Sequence, residues 1–143
     1  MSTLKEEKLG SRNTVLLIHS DTEFLNSLSA SLKSLGFGII IAQDGEMAKT
    51  LFSIYQDQIT VVILDVILTK KDGFIILQEI KNINKYIPVV MVTNLNDVED
   101  IKKAKELGAE DYMIRSKVTP QEIANKIYMI LKVKNHSYNK LNI

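Results

Sequence analysis

A chain of 143 residues has room for one domain built on a single substantial core. Hydrophobic residues make up 45% and charged ones 24%, and the net charge is +1, with 16 lysines spread along the chain; neither a nucleic-acid nor a membrane partner is expected from such a balance. The absence of cysteine excludes disulfides, thiolate metal sites and cysteine nucleophiles, and no apolar run approaches the about 20 residues that cross a bilayer, so a soluble cytoplasmic protein is expected.

Residues 1–13 are polar and aperiodic, without the apolar core of a secretory signal, and read as a flexible extension. Thr14 to Ile18 is a short apolar run, a first buried strand, which breaks into His19, Ser20 and Asp21, with Asp21 or Thr22 as helix N-cap. Phe24, Leu25, Leu28, Leu32 and Leu35 recur at helical spacing up to Gly36. Phe37 to Ala42 reads as a second strand, and Met47, Ala48, Leu51, Phe52 and Tyr55 as the stripe of a second helix.

The stretch Ile59 to Gly73 stands out. An apolar, β-branched run through Leu64 is the mark of a strand buried on both faces, and it ends abruptly in Asp65. A polar loop containing Asp72-Gly73 follows, then a third helix bearing Phe74, Leu77, Ile80 and Ile83. Pro88 opens a fourth strand, Val89 to Thr93, and a fourth helix carries Val98, Ile101, Ala104 and Leu107 up to Gly108. Asp111 to Arg115 reads as a fifth strand. Thr119-Pro120-Gln121-Glu122 combines a capping box with proline at the first helical position, and Ile123, Ile127, Ile130 and Leu131 line the last helix before a polar tail over 134–143.

Five strands alternating with five helices imply βαβ units, hence an α/β fold with a doubly wound five-stranded parallel sheet and helices on both faces. With the most apolar strand at the centre, the order 2-1-3-4-5 is expected. The carboxyl ends of strands 1, 3, 4 and 5 then border one crevice, where ligands bind in open α/β sheets. The residues expected there are His19, Ser20, Asp21, Asp65, Thr93 and Arg115.

From about Thr14 to Leu131 the chain resembles the receiver domain of two-component response regulators, CheY-like in fold. The likeness lies in the strand ending at Asp65, Asp72-Gly73 seven and eight residues on, Thr93, and Gly108-Ala109-Glu110-Asp111-Tyr112. It implies a receiver domain over residues 14–133, with Asp65 as phosphoacceptor and Thr93 and Tyr112 as switch residues. A sensor histidine kinase or phosphotransfer protein is the implied protein partner, and Mg²⁺ the implied cofactor. As no residues remain for an output domain, a stand-alone receiver is expected, acting through the face of the fourth helix, fifth strand and fifth helix.

Several family positions are exchanged. His19 and Ser20 replace the acidic pair that holds Mg²⁺, Arg115 replaces the phosphate-pairing lysine, and Ser116 and Thr69 replace prolines; Asn94 follows Thr93 where a small residue is usual. Asp65 and Asp21 are the only carboxylates left as candidate ligands, so Mg²⁺ is expected to bind weakly and Mg²⁺-dependent phosphorylation to be weak or lost. Arg115 is expected to grip Asp65 bidentately, the two charges cancelling with His19 near neutral. The family's lysine-proline bond is typically cis; with Ser116 the loop is expected to shift and to bring Lys117 toward the pocket.

Two further functions are weighed. One is an adaptor that works without phosphorylation. The other is an aspartate-dependent phosphatase of the haloacid dehalogenase type, which wants a second aspartate where this chain has Ile67. The pocket substitutions favour the adaptor mechanistically, and no enzyme is expected.

Overall fold

The structure, a computed structural model, describes residues 13–141, with side chains described for 13–134. The extension read over residues 1–13 lies, Asn13 apart, outside the described residues.

Five strands, β1 (Thr14–Ile18), β2 (Gly38–Ala42), β3 (Ile59–Leu64), β4 (Val89–Thr93) and β5 (Asp111–Ile114), form one parallel sheet in the order β2-β1-β3-β4-β5. This is the expected doubly wound order, with β3 at the centre. The helices are α1 (Thr22–Ser34), α2 (Gly45–Tyr55), α3 (Gly73–Ile83), α4 (Val98–Glu106) and α5 (Pro120–Leu141), and a 3₁₀ turn (Arg115–Lys117) follows β5. α5 continues through the polar stretch beyond Asn135.

Period-2 alternation along the strands divides the core into two layers. Val15, Leu17, Val61 and Ile63 face α1 and α5, where Phe24, Leu25, Leu28, Ile123 and Ile127 meet them. Leu16, Ile18, Val62 and Leu64 face the other side, against Phe52 of α2, Phe74 and Leu77 of α3, and Ala104 of α4. The central strands are buried on both faces, and the edge strands β2 and β5 only partly. Burial on both sides is why β3 reads as an unbroken apolar run and why a carboxylate at its end is conspicuous.

Local chemistry sets the helix ends. Asp21, Asp44 and Asp72 are the N-caps of α1, α2 and α3, each accepting a backbone N–H from the first turn. At α5 the capping box is reciprocal: Glu122 N–H donates to Thr119 Oγ1 at 3.1 Å and Thr119 N–H to Glu122 Oε1 at 2.9 Å. α1 ends in a Schellman motif, Phe37 N–H to Leu32 O at 3.2 Å and Gly36 N–H to Lys33 O at 2.9 Å, with Gly36 at φ +92°.

The start of α3 is pressed onto the end of β3. Gly73 N–H donates to Val66 O at 2.9 Å, and a Cβ at Gly73 would lie 2.1 Å from Asp65 O and 2.6 Å from Val66 Cα. Only glycine permits that approach, so Asp72-Gly73 seats the loop that follows Asp65.

Candidate functional site

The loops after β1, β3, β4 and β5 meet at the carboxyl edge of the sheet, around Asp65. Its backbone N–H donates to Ile18 O at 3.0 Å, continuing the β1–β3 ladder one step past the strand. The carboxylate is buried, 7% exposed, and Oδ1 accepts Ile67 N–H at 3.1 Å.

His19 covers the other oxygen. It follows β1 directly, its N–H donates to Ala42 O at 3.1 Å, and it is 2% exposed. Nε2 lies 3.1 Å from Asp65 Oδ2, close but off the line of a directed hydrogen bond, and has no other partner. Nδ1 accepts the Asp21 N–H at 3.2 Å. Burial lowers the histidine's proton affinity from its ordinary value; Asp65 works against this, Arg115 with it, and Asp21 against it.

Arg115 departs from expectation. It does not grip Asp65 but pairs with Asp21 Oδ2, with its guanidinium over the Phe24 ring at 4.5 Å. Asp21 thus serves twice, since Oδ1 also accepts Phe24 N–H at 3.1 Å as the α1 cap. That backbone bond, and then the Arg115 bond, hold its carboxyl below the usual range. The physical reason is position: the α1 cap presents a half-exposed carboxylate to the end of β5, whereas Asp65 is screened by His19. The expected cancellation of Asp65 by Arg115 is corrected accordingly. Arg115 is balanced by Asp21, and Asp65 accepts the Ile67 N–H with the His19 ring beside its other oxygen.

Phe24 joins the two halves. Its ring carries Arg115 and also meets the His19 ring, with centroids 4.6 Å apart and planes tilted by 48°. The sequence reading placed Phe24 in the helix stripe and missed this role; its place three residues after the Asp21 cap, on the turn that forms the pocket, was the available signal.

On the far side Thr93 is fully buried at the end of β4, and its Oγ1 accepts Leu95 N–H at 3.4 Å. The Tyr112 hydroxyl donates to Leu95 O at 2.6 Å, so both residues fasten the same stretch of the β4–α4 loop. Burial, followed by the fields of Asp100, Asp65 and Asp97, pushes the phenol up to about 12. Ser20 is exposed. Lys117 is exposed on the 3₁₀ turn, so the expectation that it approaches the pocket is also corrected; no peptide bond among the described residues is cis. Instead Ser116 N–H donates to Asn94 Oδ1 at 3.0 Å.

The donor set does not suit Mg²⁺, which wants several oxygens in octahedral array. Asp21 is spent on Arg115 and the helix cap, and His19 offers nitrogen. Among the described residues no group of three or more histidine, aspartate or glutamate side chains is placed to hold a metal ion. No helix among them is long and apolar enough to cross a membrane.

The response regulator receiver domain family matches residues 15–128. The chain is 34% identical over 127 residues to the probable transcriptional regulator ycf27 of Guillardia theta, covering 89% of this chain and 48% of that protein. It is 32% identical over 130 residues to the transcriptional regulatory protein CpxR of Escherichia coli (strain K12), covering 91% and 54%. It therefore spans about half the length of these relatives. In fold it matches the crystal structure of a CheY-like response regulator receiver domain protein from Methanospirillum hungatei JF-1, with a TM-score of 0.79 at 22% identity, covering 89% of this chain and 99% of that one. One expectation is overturned here. No nucleic-acid partner was expected, yet the relatives are transcriptional regulators. Net charge describes only this stretch of chain, which spans about half the length of those relatives.

Proposed function

Because this chain belongs to the response regulator receiver domain family, we propose that it is a signalling element of a two-component pathway with Asp65 at the phosphoacceptor position and Mg²⁺-dependent phosphorylation weak or lost. The observation that carries this reading is the state of the Asp65 carboxylate. Oδ1 accepts the Ile67 N–H at 3.1 Å and Oδ2 faces His19 Nε2 at 3.1 Å, while the neighbouring cation, Arg115, is held by Asp21. A phosphoryl group arriving at Asp65 would find Oδ1 engaged, Oδ2 crowded by the buried His19 ring, and Arg115 committed to Asp21. Its developing charge would lack the electrostatic stabilisation on which phosphoryl transfer depends.

Output passes through protein–protein contacts rather than a reaction of its own. By likeness to its relatives, the process served is the control of transcription. The signal comes from a sensor histidine kinase or phosphotransfer protein in so far as Asp65 still accepts phosphate. An adaptor that works without phosphorylation is the second reading, favoured by the Tyr112–Leu95 bond, which fastens the β4–α4 loop with Asp65 unmodified.

The experiment is an intact mass after incubation with acetyl phosphate and Mg²⁺, with Asp65→Asn as control. Little or no added phosphate is expected. Stoichiometric phosphate that disappears in Asp65→Asn would overturn the reading.

A further inference from the structure

We propose that His19 is a positioning residue whose buried imidazole, with Nε2 3.1 Å from Asp65 Oδ2, fills the place of a divalent cation beside that carboxylate, leaving a pocket that does not bind Mg²⁺. The proposal rests on the reading of Asp65 as the phosphoacceptor position, and deepens it by naming what stands in for the metal.

Two contacts hold the His19 ring. The Phe24 ring lies against it at 4.6 Å, and Nδ1 accepts the Asp21 N–H at 3.2 Å. The remaining polar atom, Nε2, is buried 3.1 Å from Asp65 Oδ2, off the line of a directed hydrogen bond. A backbone N–H can only donate, so Nδ1 must carry the lone pair. In the neutral ring the proton then sits on Nε2, a tautomer assigned from that bond. An Nε2 bearing hydrogen has no lone pair for a metal. Freeing that lone pair would place Nδ1–H against Asp21 N–H, setting two donors face to face in a buried turn, which is unfavourable.

The other ligands are equally committed. Asp21 Oδ1 caps α1 and Oδ2 holds Arg115. Asp65 Oδ1 already accepts the Ile67 N–H. A cation entering the crevice would meet Asp65 Oδ2 with the buried edge of the His19 ring 3.1 Å from it. The Asp65 carboxylate is therefore oriented by the Ile67 N–H and packed beside the His19 ring, and its orientation does not depend on metal supply.

The test uses the full chain, isotope-labelled, with Mn²⁺ as the paramagnetic probe. The long-range ¹H–¹⁵N spectrum of wild type should show His19 as the Nε2–H tautomer, unchanged by Mg²⁺. Millimolar Mn²⁺ should leave the amide signals of His19, Asp65 and Ile67 unbroadened. His19→Asp should create a site, with those signals lost at Mn²⁺ concentrations that spare wild type and returning when Asp65→Asn is added. His19→Gln, which keeps a neutral N–H donor, should hold the wild-type pattern. An Nδ1–H tautomer in wild type, or loss of the Asp65 and His19 signals with Mn²⁺, would overturn the proposal, and both are read on the native chain whether or not His19→Asp folds. Acetyl phosphate separates the two readings. Stoichiometric labelling of Asp65 that is equal with Mg²⁺ and with a chelator would overturn weak phosphorylation and leave His19 in its role, whereas labelling that requires Mg²⁺ would overturn both.

Discussion

Ser116 donates its backbone N–H to the side-chain oxygen of Asn94 at 3.0 Å, tying the turn after β5 to the loop after β4. Each residue by itself looks like a stray departure from the receiver pattern. Together they form one bond, and it requires a residue with an N–H at 116, which proline lacks. The bond is exposed, so its worth is at the low end for a hydrogen bond, about 0.5 kcal/mol. Asn94→Ala and Ser116→Pro should each lower the urea midpoint slightly. Because they remove the same bond, the double variant should lose less than the sum, as a double-mutant cycle would show.

Gly73→Ala should be among the most damaging single changes near the site. Its Cβ would fall 2.1 Å from Asp65 O and 2.6 Å from Val66 Cα, both backbone atoms that cannot swing aside. Overpacking of this kind costs about 1–3 kcal/mol, and backbone crowding places it at the upper end. Thermal melting should show the loss, and amide shifts around Asp65 should move because α3 is forced away from the end of β3.

The His19 ring should make stability fall on acidification. Its folded-state proton affinity is held below the ordinary 6.5, chiefly by burial, so the unfolded chain binds more protons in that window. Stability is therefore fully present above pH 6.5 and is lost as pH falls from there through the lower folded-state value. Protonation also places a hydrogen on Nδ1, against the Asp21 N–H. Urea unfolding across this range should show a steeper decline for wild type than for His19→Gln.

Tyr112 predicts the opposite slope at high pH. The phenol is raised from 10.0 to about 12, so the folded chain keeps a proton that the unfolded chain gives up. Its contribution is present below pH 10 and is lost as the pH climbs toward 12. Ultraviolet titration should contain a tyrosinate component near about 12 that Tyr112→Phe removes. The same variant should cost about 0.5–1.5 kcal/mol through the lost bond to Leu95 O.

The amino-acid sequence by itself determined what depends on short-range pattern. Apolar runs bounded by turn residues placed the strands, period-3.6 stripes placed the helices, and Asp21, Gly36 and the Thr119–Glu122 box marked helix ends that the structure reproduces. The same logic singled out Asp65, because a carboxylate closing a doubly buried strand is rare enough to be noticed locally. What the sequence could not show was partnership across the crevice. Arg115 and Asp21 are 94 positions apart, and whether the guanidinium reaches Asp21 or Asp65 depends on where the end of β5 stands relative to the α1 cap. Likewise, only the fold brought His19 over Asp65, with its tautomer set by the turn of the next two residues and its ring braced by Phe24. Caps and strands follow from neighbours along the chain. The choice among competing charge partners is made by distance and burial, which exist only once the sheet has formed.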